Sequence, residues 1–170
     1  MTKKSAGILL YRLTSKILEV LLVHPGGPFW AKKDLGAWSI PKGEFSDDEN
    51  PLDAALREFA EEMGEAITVS KGDFIPMTQI KQKNGKVVYA FALKHDFDVS
   101  KIKSNTFTIE WPPKSGKQQE FPEIDRGEWF DFSISKKKLN EQQAAIIDEL
   151  VEKLNLNAEH LESKLKSNHK

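Results

Sequence analysis

Apolar residues in this chain recur with two periods, and each period predicts a different element. Ala6 to Leu13 (AGILLYRL) and Ile17 to His24 (ILEVLLVH) are apolar runs rich in branched side chains. The short polar segment Thr14-Ser15-Lys16 separates them, which predicts a β-hairpin. Helical spacing appears at Leu52, Leu56, Phe59, Ala60 and Met63, with Ala55 at the edge of the stripe. Asn50 suits the N-cap of that helix, Pro51 its first position and Asp53 its positive end, while Gly64 suits a left-handed C-terminal cap. Between hairpin and helix, PGGPFWAKKDLGAWSIPKG is rich in Gly and Pro and reads as a loop, with Trp38-Ser39-Ile40 pairing briefly as a strand before Pro41.

Further on, Phe74 to Gln82 and Val87 to Phe97 read as strands joined around Asn84-Gly85, a strong hairpin pair. Lys101 to Phe121 is polar and reads as a long loop with one short strand at Thr106 to Trp111. Glu128 to Phe132 alternates as a strand does. Asn140 to Leu154 reads as a helix with Ala144, Ile147, Leu150, Val151 and Leu154 on one face. Residues 156–170 are polar and are expected to fray, leaving residues 1–155 as a single domain without internal repeats. Strands on either side of a central helix, with a second helix at the end, predict an α/β fold: a mixed sheet covered on both faces.

Composition narrows the chemistry. The length of 170 residues suits one self-sufficient core, and 39% apolar with 30% charged residues is an ordinary globular balance. A net charge of −1 offers no basic field for nucleic acid, so none is expected as a partner. The absence of cysteine excludes disulfides, a thiol nucleophile and cysteine-ligated zinc, which fits a cytoplasmic protein. The N-terminus lacks the pattern of a signal peptide, and no apolar run approaches the ~20 residues that span a membrane.

Candidate chemistry concentrates on the first helix. Glu58, Glu61 and Glu62 fall on one narrow face, opposite the apolar stripe. Like charges so crowded destabilise a bare helix. Two readings follow: a solvated acidic face laced with salt bridges, or a face that binds a hard divalent cation through its carboxylates. The wider spacing bears on that choice. Gly43, five residues, Glu49, seven residues, Arg57-Glu58, then Glu61-Glu62 and Gly64 resembles the signature box of the Nudix hydrolases. The chain departs from that box at two variable positions, with Phe59 in place of an aliphatic residue and Glu65 in place of an apolar one.

The resemblance covers roughly residues 5–155 and implies an α/β/α sandwich around a mixed sheet. It also implies a magnesium-dependent hydrolase of phosphoanhydride bonds, with manganese as a substitute, acting on a small nucleotide. Glu58 and Glu62 would be the main metal ligands, assisted by Glu61 and by the backbone carbonyl beside Gly43. Arg57 would orient the carboxylates with Glu49 as its partner, although Arg57 and Glu61 also have the spacing of a plain surface ion pair.

Some family members draw their general base from a later loop, where the candidates here are Glu120 and Glu123. Glu123 is favoured because it lies six residues before Trp129 in the following strand, against the reading that either is a surface glutamate. The entry Trp38-Ser39-Ile40-Pro41-Lys42-Gly43 is similar to that of Nudix enzymes acting on diadenosine polyphosphates or diphosphoinositol phosphates. Lys42 would then meet a long phosphate chain, with Lys33 and Lys32 extending the path or remaining solvated loop lysines. Trp38, with Trp30 and Trp111, would stack a base or sit in the core. His24 has no partner histidine at metal spacing and reads as structural or as a minor substrate contact. Dinucleoside polyphosphates are the expected substrate. Hydrolysis of nucleoside triphosphates is the enzyme alternative, and a catalytically silent nucleotide-binding module is the alternative of another class.

Overall fold

The computed structural model describes residues 3–161. In chain order the strands are β1 (Lys4–Thr14), β2 (Ile17–Pro25), β3 (Lys42–Phe45), β4 (Ile75–Pro76), β5 (Ile80–Lys81), β6 (Val87–Lys94), β7 (Thr106–Glu110), β8 (Gln118–Pro122) and β9 (Ile124–Asp131). Three helices accompany them: α1 (Pro51–Met63), α2 (Phe132–Lys138) and α3 (Ala145–Lys153). The main sheet runs β4-β6-β1-β2-β9, with β3 on the start of β1 and β5 on the start of β6. It is mixed, because β6 lies parallel to β1 while β2, β3 and β9 pair antiparallel. The first hairpin turns at Ser15 and Lys16, both with positive φ, the conformation that matches strand twist in a two-residue turn.

The near-continuous apolar runs of β1 and β2 bury both of their faces. Ala6, Ile8, Leu10, Leu21 and Val23 pack with Ala54, Ala55, Phe59 and Met63 of α1. Leu9, Leu18, Val20 and Leu22 point the other way, toward Trp38, Ile146, Ile147 and Leu150. Helices therefore cover both sides of the sheet, as the α/β/α expectation requires. On α1 the stripe is shifted by one position: Ala54 is fully buried, while Leu52 and Leu56 lie at its margin.

Five local expectations change. The predicted strand over 74–82 breaks into β4 and β5. Pro76 has no N–H to donate, and Thr78 leaves the ladder, giving its N–H and hydroxyl to Glu149 (2.9 and 2.6 Å). The strand expected to reach Phe97 stops at Lys94. The long loop over 101–121 keeps its expected strand at Thr106, as β7, but gains a second strand, β8, and the two form a ribbon of their own. The strand expected at 128–132 starts earlier and ends at Asp131, whose carboxylate caps α2 by accepting the N–H of Ile134 (3.0 Å). Finally, α3 starts at Ala145 rather than Asn140, because the preceding turn carries Gln143 into the interior. At the C-terminal end Ala158–His160 forms a single 3₁₀ turn, and the rest of the predicted tail, 162–170, lies outside the described residues. Among the described residues no helix is long and apolar enough to cross a membrane.

Candidate functional site

The site is built where α1 meets the short strand β3. Asn50 starts α1 by accepting the N–H groups of Leu52 and Asp53 (3.0 and 3.3 Å). Gly64 ends it at φ +79, its N–H on the Ala60 carbonyl (2.9 Å). The buried stripe fixes the helix rotation, and the glutamates are left on the side facing β3. Of these, Glu58 is mostly covered, with 13% of its side chain exposed, while Glu61 is more open at 43%. Gly43 shows how closely the loop approaches: a Cβ there would stand 1.8 Å from Glu58 Oε2. Only glycine fits, a requirement of contact rather than of backbone angle.

Arg57 holds the carboxylates in place. Its Nε and Nη2 donate to the two oxygens of Glu49 (both 2.9 Å), a bidentate fork, and its Nη1 donates to Glu58 Oε1 (2.8 Å). The spaced pair with Glu61 also forms, at 3.3 Å, as the longest of these side-chain contacts. Glu49 and Glu58 together push the guanidinium pKa upward. Because Arg57 occupies Glu58 Oε1, Oε2 remains on the Gly43 side.

Glu62 is the most perturbed acid. Burial raises its carboxyl to about 8, opposed by the N–H of Lys42 on its Oε2 (3.0 Å) and reinforced by the charges of Glu58 and Glu123. Burial likewise raises Glu58, against the pull of Arg57. Lys42 is shifted in the opposite direction: burial and the neighbouring Lys86 lower its ammonium, while Glu62, Glu44 and Glu58 pull it back up. A cavity of about 130 Å³ joins these groups, lined among others by Val23, Ser39, Lys42, Glu62 and Glu123.

The two later glutamates part company. Glu123 sits between β8 and β9, its N–H on the Asn105 carbonyl and its carbonyl receiving the N–H of Gly26 (both 2.9 Å). That anchoring brings it to the cavity wall. Glu120 is exposed on β8, opposite Thr108, and does not line the cavity.

The tryptophans and loop lysines divide similarly. Trp38 is only 1% exposed, set edge-on against Phe130 and His24, with its indole N–H on Asp34 (2.8 Å). The structure therefore places Trp38 in the core and not open for a base to stack: the loop folds back through bridges to Val23 and Leu139, and the Arg126 guanidinium lies 5.0 Å over the ring. Lys32 and Lys33 are exposed and do not line the cavity, and Lys33 Nζ lies 4.9 Å over the Trp30 ring. Trp111 rests against Phe29.

His24 is fully buried and serves the structure rather than the substrate. Its Nδ1 meets Asp125 (2.9 Å) and its Nε2 the Lys33 carbonyl (2.6 Å). Sequence reasoning missed Gln143 altogether. Its buried amide oxygen accepts the N–H of Ile40 (3.1 Å), and its amide nitrogen donates to Ser39 (3.1 Å), fixing the entry to Lys42 and Gly43. Nothing in its local sequence marks that reach of 103 positions.

The donor chemistry fits a hard divalent cation. Among the described residues no group of three or more acidic, histidine or cysteine side chains is poised to hold a metal ion. What converges is a pair of desolvated carboxylates, Glu58 and Glu62, beside a loop backbone that Gly43 lets come close. A cation that takes one or two carboxylates and completes its shell with water and substrate phosphate needs no more than that.

Comparison with known proteins agrees with this geometry. The yeast m7GpppN-mRNA hydrolase (Saccharomyces cerevisiae) is 35% identical over 103 residues, 59% of this chain. The chain spans only 9% of the length of that relative. An RNA pyrophosphohydrolase of Bartonella henselae is 28% identical over 146 residues, covering 76% of each protein. Among solved structures, a C. elegans Ap4A hydrolase binary complex superposes with TM-score 0.60 at 18% identity, over 89% of this chain and 98% of that one. The NUDIX domain of Shewanella oneidensis NrtR complexed with ADP ribose gives 0.59 at 16%, over 91% and 89%. At such identities the two structures speak for a shared fold. The model of the NUDIX domain matches residues 1–150, so the strands that carry the sheet and the helix that carries the glutamates fall inside one match, and the chain belongs to the NUDIX family.

Proposed function

We propose that the chain is a magnesium-dependent hydrolase of nucleoside-diphosphate-linked substrates, with dinucleoside polyphosphates preferred and manganese able to replace magnesium. The observation that carries this reading is Lys42. Its ammonium is largely desolvated, shares a cavity with Glu62 and Glu123, and has no carboxylate at ion-pair distance among the described residues. A desolvated cation without a bound anion, set beside a carboxylate pair, suits a phosphate oxygen next to a metal.

The remaining roles follow from position. Glu58 and Glu62 would hold the cation, with Glu61 assisting from the open side and the Gly43 backbone closing the loop side. The cation, when bound, neutralises phosphate charge and lowers the pKa of its water. Arg57, forked onto Glu49, keeps Glu58 from turning away. Glu123 reaches the cleft from the β8–β9 junction and is the general base in this reading. Lys32 and Lys33, on the exposed loop, would meet the outer part of a long phosphate chain.

A second reading has its own support. Two sequence relatives are named for RNA substrates, the m7GpppN-mRNA hydrolase and the RNA pyrophosphohydrolase, so an RNA 5′ end competes with a free dinucleotide. A substrate panel with magnesium separates them: diadenosine tetraphosphate, a nucleoside triphosphate, a capped dinucleotide and 5′-triphosphorylated RNA, with products identified by chromatography. The highest kcat/KM is expected on diadenosine tetraphosphate. Faster release of pyrophosphate from triphosphates or from RNA would replace the substrate assignment. Tight binding without turnover on every member would leave a silent binding module.

A further inference from the structure

The loop of residues 26–36 and the β7–β8 hairpin leave a cluster of aromatic rings outside the core. Phe29 is 62% exposed and Trp30 40%. Phe29 meets Trp111, beyond the end of β7, in an edge contact with ring centroids 5.3 Å apart. Beneath them Gly27, at φ +95, lies so close to Phe107 that an added Cβ would stand 2.7 Å from the ring. Phe107 in turn faces Phe121 across the ribbon. Rings of this size are ordinarily buried, so keeping Phe29 open calls for a reason.

The surroundings supply one. The hairpin pairs with no strand of the main sheet, and a lone two-stranded ribbon is marginal in water. The loop holds it instead, pinned at one end by Gly26 to Glu123 and at the other by His24 to the Lys33 carbonyl (2.9 and 2.6 Å). Glu123 is therefore both a wall of the catalytic cleft and the root of the aromatic arm. From Pro122 the arm runs outward to Lys117, which pairs with Trp111, five strand steps or on the order of 17 Å. The loop that faces it carries Lys32 and Lys33, cations for a phosphate chain passing outward.

We propose that Phe29 and Trp111 form a subsite that stacks the second nucleobase of a dinucleoside polyphosphate, while the bond broken lies over the glutamates of α1. The subsite rests on the substrate reading above and deepens it: a chain of several phosphates bridges cleft and arm, and a nucleoside triphosphate has no second base to place there. Stacking on an aromatic ring tolerates any base, so the arm selects for a second planar group rather than for its identity.

The test compares Phe29→Ala and Phe29→Tyr with the wild type on diadenosine tetraphosphate and on dATP. Phe29→Ala is expected to lower kcat/KM for the tetraphosphate by roughly 5- to 100-fold through KM, with dATP changed less than about twofold, and Phe29→Tyr to restore the loss. Trp111→Phe is the companion variant, with thermal melting to show that the ribbon still folds. Equal losses on both substrates, or none on either, overturn the subsite. A loss confined to 5′-triphosphorylated RNA also overturns it, in favour of an RNA strand along the arm. If the wild type does not cleave the tetraphosphate, its inhibition constant against dATP hydrolysis reads the arm separately. A constant raised by Phe29→Ala keeps the subsite and rejects only the substrate preference, and an unchanged constant rejects the subsite.

Discussion

The glutamate helix and the aromatic arm lie on either side of Glu123, and opposite forces hold them. Helix α1 is fixed by a buried stripe, two caps and a bidentate arginine, and it spends that rigidity on a face of mutually repelling carboxylates. The β7–β8 arm has no share in the main sheet and presents rings where the helix presents charge. One region is strained electrostatically and well anchored; the other is apolar and held by a loop. In the proposed reading, a cation would relieve strain of the first kind and a flat ligand would cover the exposed apolar surface.

The sharpest way to break the contrast is to remove single carboxyl charges along the line from helix to arm. Glu62→Gln is expected to lower magnesium-dependent turnover by about 10²-fold or more with the fold intact, because the proposed metal ligand is lost. Glu123→Gln, at the junction, is expected to cost about 10²–10⁴-fold, the range of a missing general base. Glu120→Gln, out on the arm, should stay within about twofold. Steady-state rates decide the matter: near-normal turnover by Glu62→Gln would sink the metal assignment, and a larger defect in Glu120→Gln would move the base.

Two glycines sharpen the same comparison at the level of packing. At Gly43 an added methyl group would stand 1.8 Å from Glu58 Oε2, so Gly43→Ala should destabilise by about 1–3 kcal/mol and depress turnover. At Gly116, near the arm's tip, a Cβ would meet nothing within 4 Å, but φ is +73. Gly116→Ala should therefore cost about 1 kcal/mol of backbone strain and leave turnover alone. Chemical unfolding with parallel assays tests the pair, and equal activity losses would erase the distinction.

The loop that supports the arm is tested through His24. His24→Leu leaves the Asp125 carboxylate and the Lys33 carbonyl without their shared donor, and a loss of about 1–3 kcal/mol in urea unfolding is expected. Cleavage by protease within residues 26–36 should rise with it. Unchanged stability would mean that the His24 bonds do not hold the loop.

The last test is a pH slope. Glu62 keeps its proton up to about 8 in the fold, against 4.5 for an ordinary glutamate. The folded state then binds the extra proton between those values, so without a cation this group's contribution to stability falls as the pH rises from 4.5 to about 8. Urea midpoints from about pH 5 to about pH 8 should show that decline, and excess magnesium should flatten it. A decline that magnesium leaves untouched would show that no cation answers the Glu62 charge.

Much of the helix region was legible in the chain itself. The hairpin β1–β2, and separately the caps of α1, the glutamate face and the Gly43-to-Gly64 spacing, are each written within one short stretch of chain, where periodicity and local hydrogen bonding decide structure. Leu52 and Leu56 falling at the margin, with Ala54 inside, marks the limit of that reading, because a stripe gives a face and not its depth. The arm was only half legible, since the strand at Thr106 was expected and its partner β8 was not. Thr106–Glu110 alternates between exposed and half-buried positions, but its partner Gln118–Pro122 is exposed at every position except Phe121 and carries no alternation to read. Tertiary structure alone decided that Trp38 is core while Phe29 is open, that Glu123 reaches the cleft while Glu120 does not, and that Gln143 fastens Ile40 from 103 positions away. The physical reason is common to all three: burial and cross-chain hydrogen bonds depend on which segments meet, and local preference fixes only what each segment brings to the meeting.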